Sequence, residues 1–281
     1  MTVLGTGIMG AGMARSLIRA GLHVSVWNRS PQRARPLGEQ GARVAGDLVD
    51  AVSGADVVVT MLFDADAVAE VMERALAAVP PHAVWVQSST VGLAGARQLA
   101  ELASQYGCGY VDAPVLGSKG PADQGALVVL AGGPRELQPK VAPVFEAIGR
   151  KTVWVGERPD SGHRLKLALN SWVLSITAAT GQAIVLARDL GVDPQLALDT
   201  LSGTPTDSPY AQLKGRMMIA DEYPPAFGLA AAVKDAELIM EALREAGDEP
   251  ALMQAVHHLM VTAAQAGYAG QDMAAVVHAF R

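Results

Sequence analysis

The chain reads as an α/β domain with a doubly wound, mostly parallel sheet over residues 1–160. An all-helical domain over residues 161–281 follows, beginning with one long helix. Three observations predict this. Short β-rich runs alternate with helical stretches as far as Val155, the pattern of stacked βαβ units. A segment dense in turn residues, Gly156-Glu157-Arg158-Pro159-Asp160-Ser161-Gly162, then interrupts the alternation. Beyond it no convincing strand remains.

The elements follow in order. Thr2–Leu4 reads as a strand, Gly10–Ala20 as a helix stopped at Gly21, and Val24–Trp27 as the second strand. Ala55–Met61 is a continuous apolar run, expected of a strand covered on both faces. Val84–Gln87 is the next strand, then a helix over Leu93–Tyr106 and a strand over Gly109–Asp112. Gly125–Ala131 and Thr152–Val155 are the remaining β candidates. Past the linker, Gly162–Leu190 reads as one long helix, with shorter ones at Pro194–Leu201, Leu229–Glu245 and Pro250–Ala266.

Composition narrows the function. The chain has 281 residues, half of them apolar, 18% charged, with a net charge of −6. That is too apolar for a disordered chain, and the acidic balance lacks the footprint of a nucleic-acid binder. The single cysteine, Cys108, rules out an intrachain disulfide framework and any multi-cysteine zinc site. It fits a reducing cytoplasm as a small buried hydrophobe. The four glycines within Met1–Met13, with no charged segment before them, do not read as a signal peptide. Leu165–Leu186 is long enough to span a bilayer, but Lys166, Asn170 and Gln182 favour a long buried helix. The histidines, including His163 and the pair His257-His258, show no metal-ligand spacing, so no metal is expected and surface or packing roles are read for them.

The strongest local signal is Gly5-Thr6-Gly7-Ile8-Met9-Gly10, placed after a strand and opening a helix. In that context Gly5 permits the tight turn, Gly7 lets backbone approach a pyrophosphate, and Gly10 lets helix and strand pack closely. The helix N-terminus faces the negative charge. This is the fingerprint of a dinucleotide-binding Rossmann domain. At the end of the second strand an acid would hold the ribose 2′-hydroxyl of NAD; here stand Asn28, Arg29 and Ser30. Arg29 can pair with a 2′-phosphate, so NADP (as NADPH) is expected in preference to NAD. Two later segments, with Met61 and Leu62 in one and Thr90 in the other, fall at the carboxyl edge of the sheet, so two readings stand side by side: Met61 and Leu62 beside the adenosine and ribose with Thr90 near the nicotinamide end, or simple loop roles for each.

Lys166 and Asn170 lie one turn apart on one face of the long helix and interrupt its apolar run. A buried lysine needs a partner or a lowered pKa, and a lowered pKa suits acid–base work. A snorkelling lysine at the helix start is the competing reading.

Four segments in order make the resemblance specific: Gly5–Gly10 with Ala11-Gly12-Met13-Ala14; Asp112-Ala113-Pro114-Val115 leading to Gly117; Gly162, Lys166 and Asn170; and Lys234-Asp235. Over essentially its whole length the chain resembles the β-hydroxyacid dehydrogenase family, which includes 3-hydroxyisobutyrate dehydrogenase and the glyoxylate/succinic semialdehyde reductases. The resemblance implies hydride transfer between NADPH and a small aldehyde, keto acid or β-hydroxyacid, and a helical domain like that of 6-phosphogluconate dehydrogenase. It implies that Lys166 is the general acid in reduction and the base in oxidation, and that Asn170 orients the substrate or Lys166. Thr90 with the Gly117-Ser118 turn would hold the substrate carboxylate. Lys234 would contact the cofactor or close the cleft, Asp235 would fix that segment, and Phe227 would wall the cleft. The long helix would help bury a subunit interface, making a homodimer or homotetramer. Membrane and nucleic acid are not expected partners.

One departure matters. Where the family commonly has a serine before the glycine of the second segment, this chain has Leu116, which removes a hydroxyl and adds apolar bulk. Gly117-Ser118-Lys119-Gly120-Pro121-Ala122 and Asn28-Arg29-Ser30 lean toward the glyoxylate/succinic semialdehyde reductase branch. Leu116 also keeps open an imine-reductase-like enzyme, although Lys166 argues against it. A cofactor-binding sensor or scaffold without turnover is the third reading.

Overall fold

The structure is a computed structural model and describes residues 1–280. The chain divides into two compact units, Met1–Lys166 and the residues from Leu167 on. The division lies inside a helix, beyond the turn-rich linker, because the first turns of that helix pack into the first unit.

The first unit holds β1 (Thr2–Leu4), α1 (Ile8–Arg19), β2 (Ser25–Trp27), α2 (Arg35–Gly38), β3 (Arg43–Val44), α3 (Leu48–Val52), β4 (Val57–Thr60) and α4 (Ala65–Ala75). There follow β5 (Val84–Gln87), α5 (Gly92–Gln105), β6 (Gly109–Asp112), β7 (Val115–Leu116), α6 (Lys119–Gln124), β8 (Leu127–Gly132), α7 (Gln138–Ile148) and β9 (Gly149–Gly156). The nine strands form one sheet in the order β3-β2-β1-β4-β5-β6-β8-β7, with β9 also pairing β8. The first six strands are mutually parallel; β8 runs antiparallel to β6 and β7 and parallel to β9.

The order reverses between β1 and β4, where an open α/β sheet forms its ligand crevice. Register sharpens this. Trp27 pairs with Leu4, Leu4 with Thr60, Thr60 with Gln87, and Gln87 with Asp112, so all these strands end level. The segments that begin at Gly5, Asn28, Met61, Ser88 and Ala113 therefore leave the sheet along one edge.

Both sheet faces are covered, as the unbroken apolar runs predict. Val57 and Val59 join Val3, Met13, Leu17, Val86 and Phe145 on one side; Val58 joins Leu4, Met72, Trp85 and Leu99 on the other. Trp85 meets Tyr110 edge-on at 5.3 Å and donates its indole N–H to the Thr60 hydroxyl at 2.9 Å. Asp64 caps α4 by accepting from the Ala67 N–H at 2.8 Å. Pro143 inside α7 hides that helix.

The long helix α8 (Ser161–Asp189) begins in the first unit and continues into the second, which adds α9 (Pro194–Leu201), α10 (Pro209–Ala220), α11 (Leu229–Ala246) and α12 (Ala251–Ala263). By length and composition α8 could cross a membrane. The expected burial holds for only part of it: 44% of its most apolar window is buried, and Trp172 on it is 67% exposed. Leu229, Ala236, Ile239, Val256, Met260 and Met273 are buried in the second unit. So is an ion pair, Lys214 with Asp272 at 2.5 Å, whose carboxylate also accepts from the N–H groups of Ala226, Phe227 and Ala274 at 3.0–3.1 Å. The Lys214 ammonium lies 5.3 Å from the Tyr210 ring centre, and burial, with Asp272 nearby, pushes the Tyr210 phenol up.

Candidate active site

The glycine loop is shaped by contacts that no side chain could survive. Gly5 has φ +100°, and a Cβ there would lie 2.3 Å from the Met61 carbonyl oxygen. A Cβ on Gly10 would lie 2.0 Å from the Gly5 carbonyl oxygen, so helix α1 can start this close to β1 only with glycine at that position. Gly7 differs: a Cβ there would meet nothing within 4 Å, so its place is open toward solvent. Helix α1 has no side-chain cap and no acid in its first turn, which leaves its N-terminal N–H groups for an outside anion.

Asn28 braces this loop. Its side-chain oxygen accepts from the Thr6 N–H at 3.0 Å and its amide donates to the Ser30 carbonyl at 3.1 Å. Arg29 and Ser30 are exposed next to it. Two buried hydroxyls on the same edge, Thr6 Oγ1 and Ser88 Oγ, have no hydrogen-bond partner in the protein. Buried polar groups are normally satisfied. Two orphans beside an anion-ready helix start fit a polar ligand such as NAD(P). Ile8 is exposed, and Met9, Met61 and Leu62 are half-buried around the loop.

The end of β5 is held by a buried polar network. Gln87 Oε1 accepts from the Ser89 N–H at 2.7 Å, Gln87 Nε2 donates to the Ser89 carbonyl at 2.9 Å, and Ser89 Oγ accepts from the Leu62 N–H at 2.8 Å. Thr90 follows. The next residue, Val91, donates its N–H to His163 Nε2 at 3.0 Å. His163 is fully buried, and its Nδ1 lies 2.5 Å from Asp112 Oδ1. The other Asp112 oxygen accepts from the His163 backbone N–H at 2.9 Å. Asp112 thus caps the first turn of α8. Burial and the Asp112 charge together push the neighbouring Tyr110 phenol well up.

Lys166 follows His163 by three residues. It is 6% exposed and donates from Nζ to the Val115 carbonyl at 2.9 Å. Gly162 makes the approach possible, since a Cβ there would lie 2.3 Å from the Leu130 oxygen and 2.8 Å from the Asp112 oxygen. At Asp160, two residues before Gly162, burial pushes the carboxyl up, but Arg164 and Arg97 outweigh it and hold it below the ordinary value. The snorkelling reading of Lys166 is therefore not what the structure shows.

Leu116 sits on β7, half-buried and paired with Val128; Gly117 and Ser118 follow, and the Ser118 hydroxyl makes no capping bond to α6. In the second unit Asp235 joins two of the expected residues. It accepts from the Asn170 amide at 2.7 Å and from Lys234 Nζ at 2.7 Å. Phe227 is set by its N–H bond to Asp272 and by the Met273 N–H bond to its carbonyl at 2.8 Å. Sequence reasoning missed the role of His163, which it read as surface or packing. The signal was absent locally, because its partner Asp112 lies 51 residues away. Among the described residues no three His, Cys, Asp or Glu side chains converge as a metal site.

A parallel sheet with a glycine loop at its switch point, an anion-ready helix and a buried lysine beside the same edge define an NAD(P)-dependent oxidoreductase. Residues 1–156 match the NAD binding domain of 6-phosphogluconate dehydrogenase, and residues 160–280 match the NAD-binding family of NADP-dependent 3-hydroxyisobutyrate dehydrogenase. The chain belongs to the β-hydroxyacid dehydrogenase family. It is 31% identical to glyoxylate/succinic semialdehyde reductase 2, chloroplastic, of Arabidopsis thaliana, over 99% of this chain and 78% of that protein. A 3-hydroxyisobutyrate dehydrogenase from Salmonella typhimurium superposes with a TM-score of 0.92 at 25% identity, over 99% of this chain and 98% of that one. A reductive aminase from Aspergillus terreus, solved with NADPH and ethyl levulinate, gives 0.63 at 28% identity, over 100% and 98%.

Proposed function

We propose that this chain is an NADPH-preferring reductase of a small aldehyde or keto acid, acting in reverse as a β-hydroxyacid dehydrogenase. The observation that carries the reading is Lys166, buried at the start of α8 and directed onto the Val115 carbonyl beside Leu116–Ser118. A bound nicotinamide supplies the hydride. Lys166 donates a proton to the carbonyl oxygen in reduction and takes it from the hydroxyl in oxidation. Thr90, Gly117 and Ser118 hold the substrate carboxylate, and Leu116 adds an apolar wall where a hydroxyl is lost, favouring substrates with more apolar bulk. Arg29 and Ser30 bind the 2′-phosphate, and the glycine loop with Thr6, Ile8 and Met9 binds the pyrophosphate. Met61 and Leu62 pack against the adenosine side, and in the second unit Asp235 fixes its own segment by holding Asn170 and Lys234. Exposed Trp172, Leu186 and Leu190 support a homodimer or larger homo-oligomer.

The test is a steady-state panel of glyoxylate, succinic semialdehyde, 3-hydroxyisobutyrate and a cyclic imine, each with both nicotinamide cofactors. Carbonyl reduction with NADPH favoured over NADH is expected. Arg29→Ala should raise KM for NADPH far more than for NADH, and Lys166→Ala should lower kcat by about 100-fold or more. Turnover of the imine alone would replace this reading with the imine-reductase one, which Leu116 keeps open.

A further inference from the structure

We propose that His163 is a positioning residue. Neutral and protonated on Nδ1, it ties the Thr90 turn to the helical turn that carries Lys166. The inference rests on the reading of Lys166 given above and deepens it.

The hydrogen-bond pattern assigns the tautomer. The Val91 N–H is directed at Nε2 from 3.0 Å, so Nε2 must present a lone pair. The ring proton is then on Nδ1, 2.5 Å from Asp112 Oδ1. The second Asp112 oxygen takes the His163 backbone N–H at 2.9 Å, which fixes where the helix begins. One carboxylate therefore sets both the helix start and the proton position.

Each neighbour of His163 is itself immobilised. On the Val91 side, Ser89 is held by Gln87 and by Leu62, so Thr90 stands between two tethered residues. On the helix side, Lys166 is three residues beyond His163, and its acceptor Val115 is three residues beyond Asp112. The helix start and the β6–β7 segment thus meet at two matched points, His163 with Asp112 and Lys166 with Val115. Gly162 lets the segments lie this close. A hydrophobe at position 163 could fill the space but could hold neither Val91 nor Asp112. Asp112→Asn acts on the same device. With its oxygen kept on the His163 N–H, its amide N–H faces Nδ1, drives the ring proton to Nε2, and sets it against the Val91 N–H.

The test combines nitrogen-15 NMR of the histidine rings in the whole protein with kinetics of NADPH and glyoxylate. The expected spectrum shows His163 protonated at Nδ1 and bare at Nε2 in the parent, and the opposite tautomer in Asp112→Asn. His163→Phe should lower kcat by about 10- to 100-fold, the size of a small misplacement of a catalytic group, while the Kd for NADPH stays within about twofold. His163→Gln, which keeps one donor and one acceptor, should recover most of that loss. In the Lys166→Ala background His163→Phe should cost clearly less than in the parent, because part of its effect acts through Lys166. A parent His163 protonated at Nε2 overturns the proposal, as does His163→Phe with kcat within twofold of the parent. The ring spectrum needs no turnover, so it decides the tautomer even if His163→Phe fails to fold or glyoxylate is not reduced. Unchanged kcat in Lys166→Ala alone refutes the reading of Lys166 and leaves the tautomer result standing.

Discussion

Gly7→Ala separates ligand binding from folding at one position. In the structure Gly7 has φ −71° and ψ −166°, a conformation that alanine adopts without strain, and a Cβ there would meet nothing within 4 Å. The new methyl lowers the entropy of the unfolded chain by about 0.4–1 kcal/mol, while alanine caps a helix less well than glycine by a similar amount. Stability should therefore stay within about 1 kcal/mol of the parent. Binding should weaken, because the methyl fills the space in front of the uncapped start of α1 where a diphosphate must approach. Losing one charge-assisted N–H contact costs about 1.5–3 kcal/mol, so Kd for NADPH should rise about 10- to 150-fold. The assay is a fluorescence titration with NADPH beside a urea unfolding curve. An unchanged Kd would refute the phosphate approach at Gly7. A large loss of stability would show instead that Gly7 is a packing glycine, as Gly10 is.

Three further outcomes follow from the same contacts. Gly162→Ala pushes a methyl into the Leu130 and Asp112 carbonyl oxygens and should cost about 3 kcal/mol in urea unfolding, since neither oxygen can yield. Asp160→Asn removes the buried negative charge and one of the two oxygens that Arg97 and Arg164 share, and should destabilise by about 2 kcal/mol at neutral pH. Because the folded-state pKa of Asp160 is depressed, its contribution is whole above about pH 4 and is lost as pH falls through that lowered value. The deficit of Asp160→Asn against the parent should therefore shrink in acid, and a deficit constant down to low pH would contradict the assignment. Lys214→Met leaves the Asp272 carboxylate buried with only backbone donors and should cost about 3 kcal/mol; Lys214→Met with Asp272→Asn should recover part of it, read from the same unfolding curves.

Much of the fold was legible because its signals are local. The strands Thr2–Leu4, Val84–Gln87 and Gly109–Asp112 and the helix Pro194–Leu201 have the bounds read from the chain. Apolar runs and turn residues report on neighbours along the backbone. Most elements that escaped lack that signal: β3 and β7 have two residues each, α7 contains a proline, and α10 carries mixed faces; α4 is the exception, since its buried Val68, Val71, Met72 and Ala75 follow helical spacing. Part of the site was legible for the same reason. The glycine loop and the one-turn spacing of Lys166 and Asn170 are properties of short segments.

By itself the sequence determined the parallel sheet, the dinucleotide loop, the helical second unit, and a polar pair on an apolar helix. Tertiary structure alone decided which groups complete them. Asp112 meets His163 across 51 residues, Lys166 finds Val115 across 51, Asn170 finds Asp235 across 65, and Lys214 finds Asp272 across 58. The physical reason is that backbone periodicity acts over a few residues. Polar partners such as Asp112 and His163 depend on which strand ends the sheet order brings level, and that order is set by the packing of the whole unit.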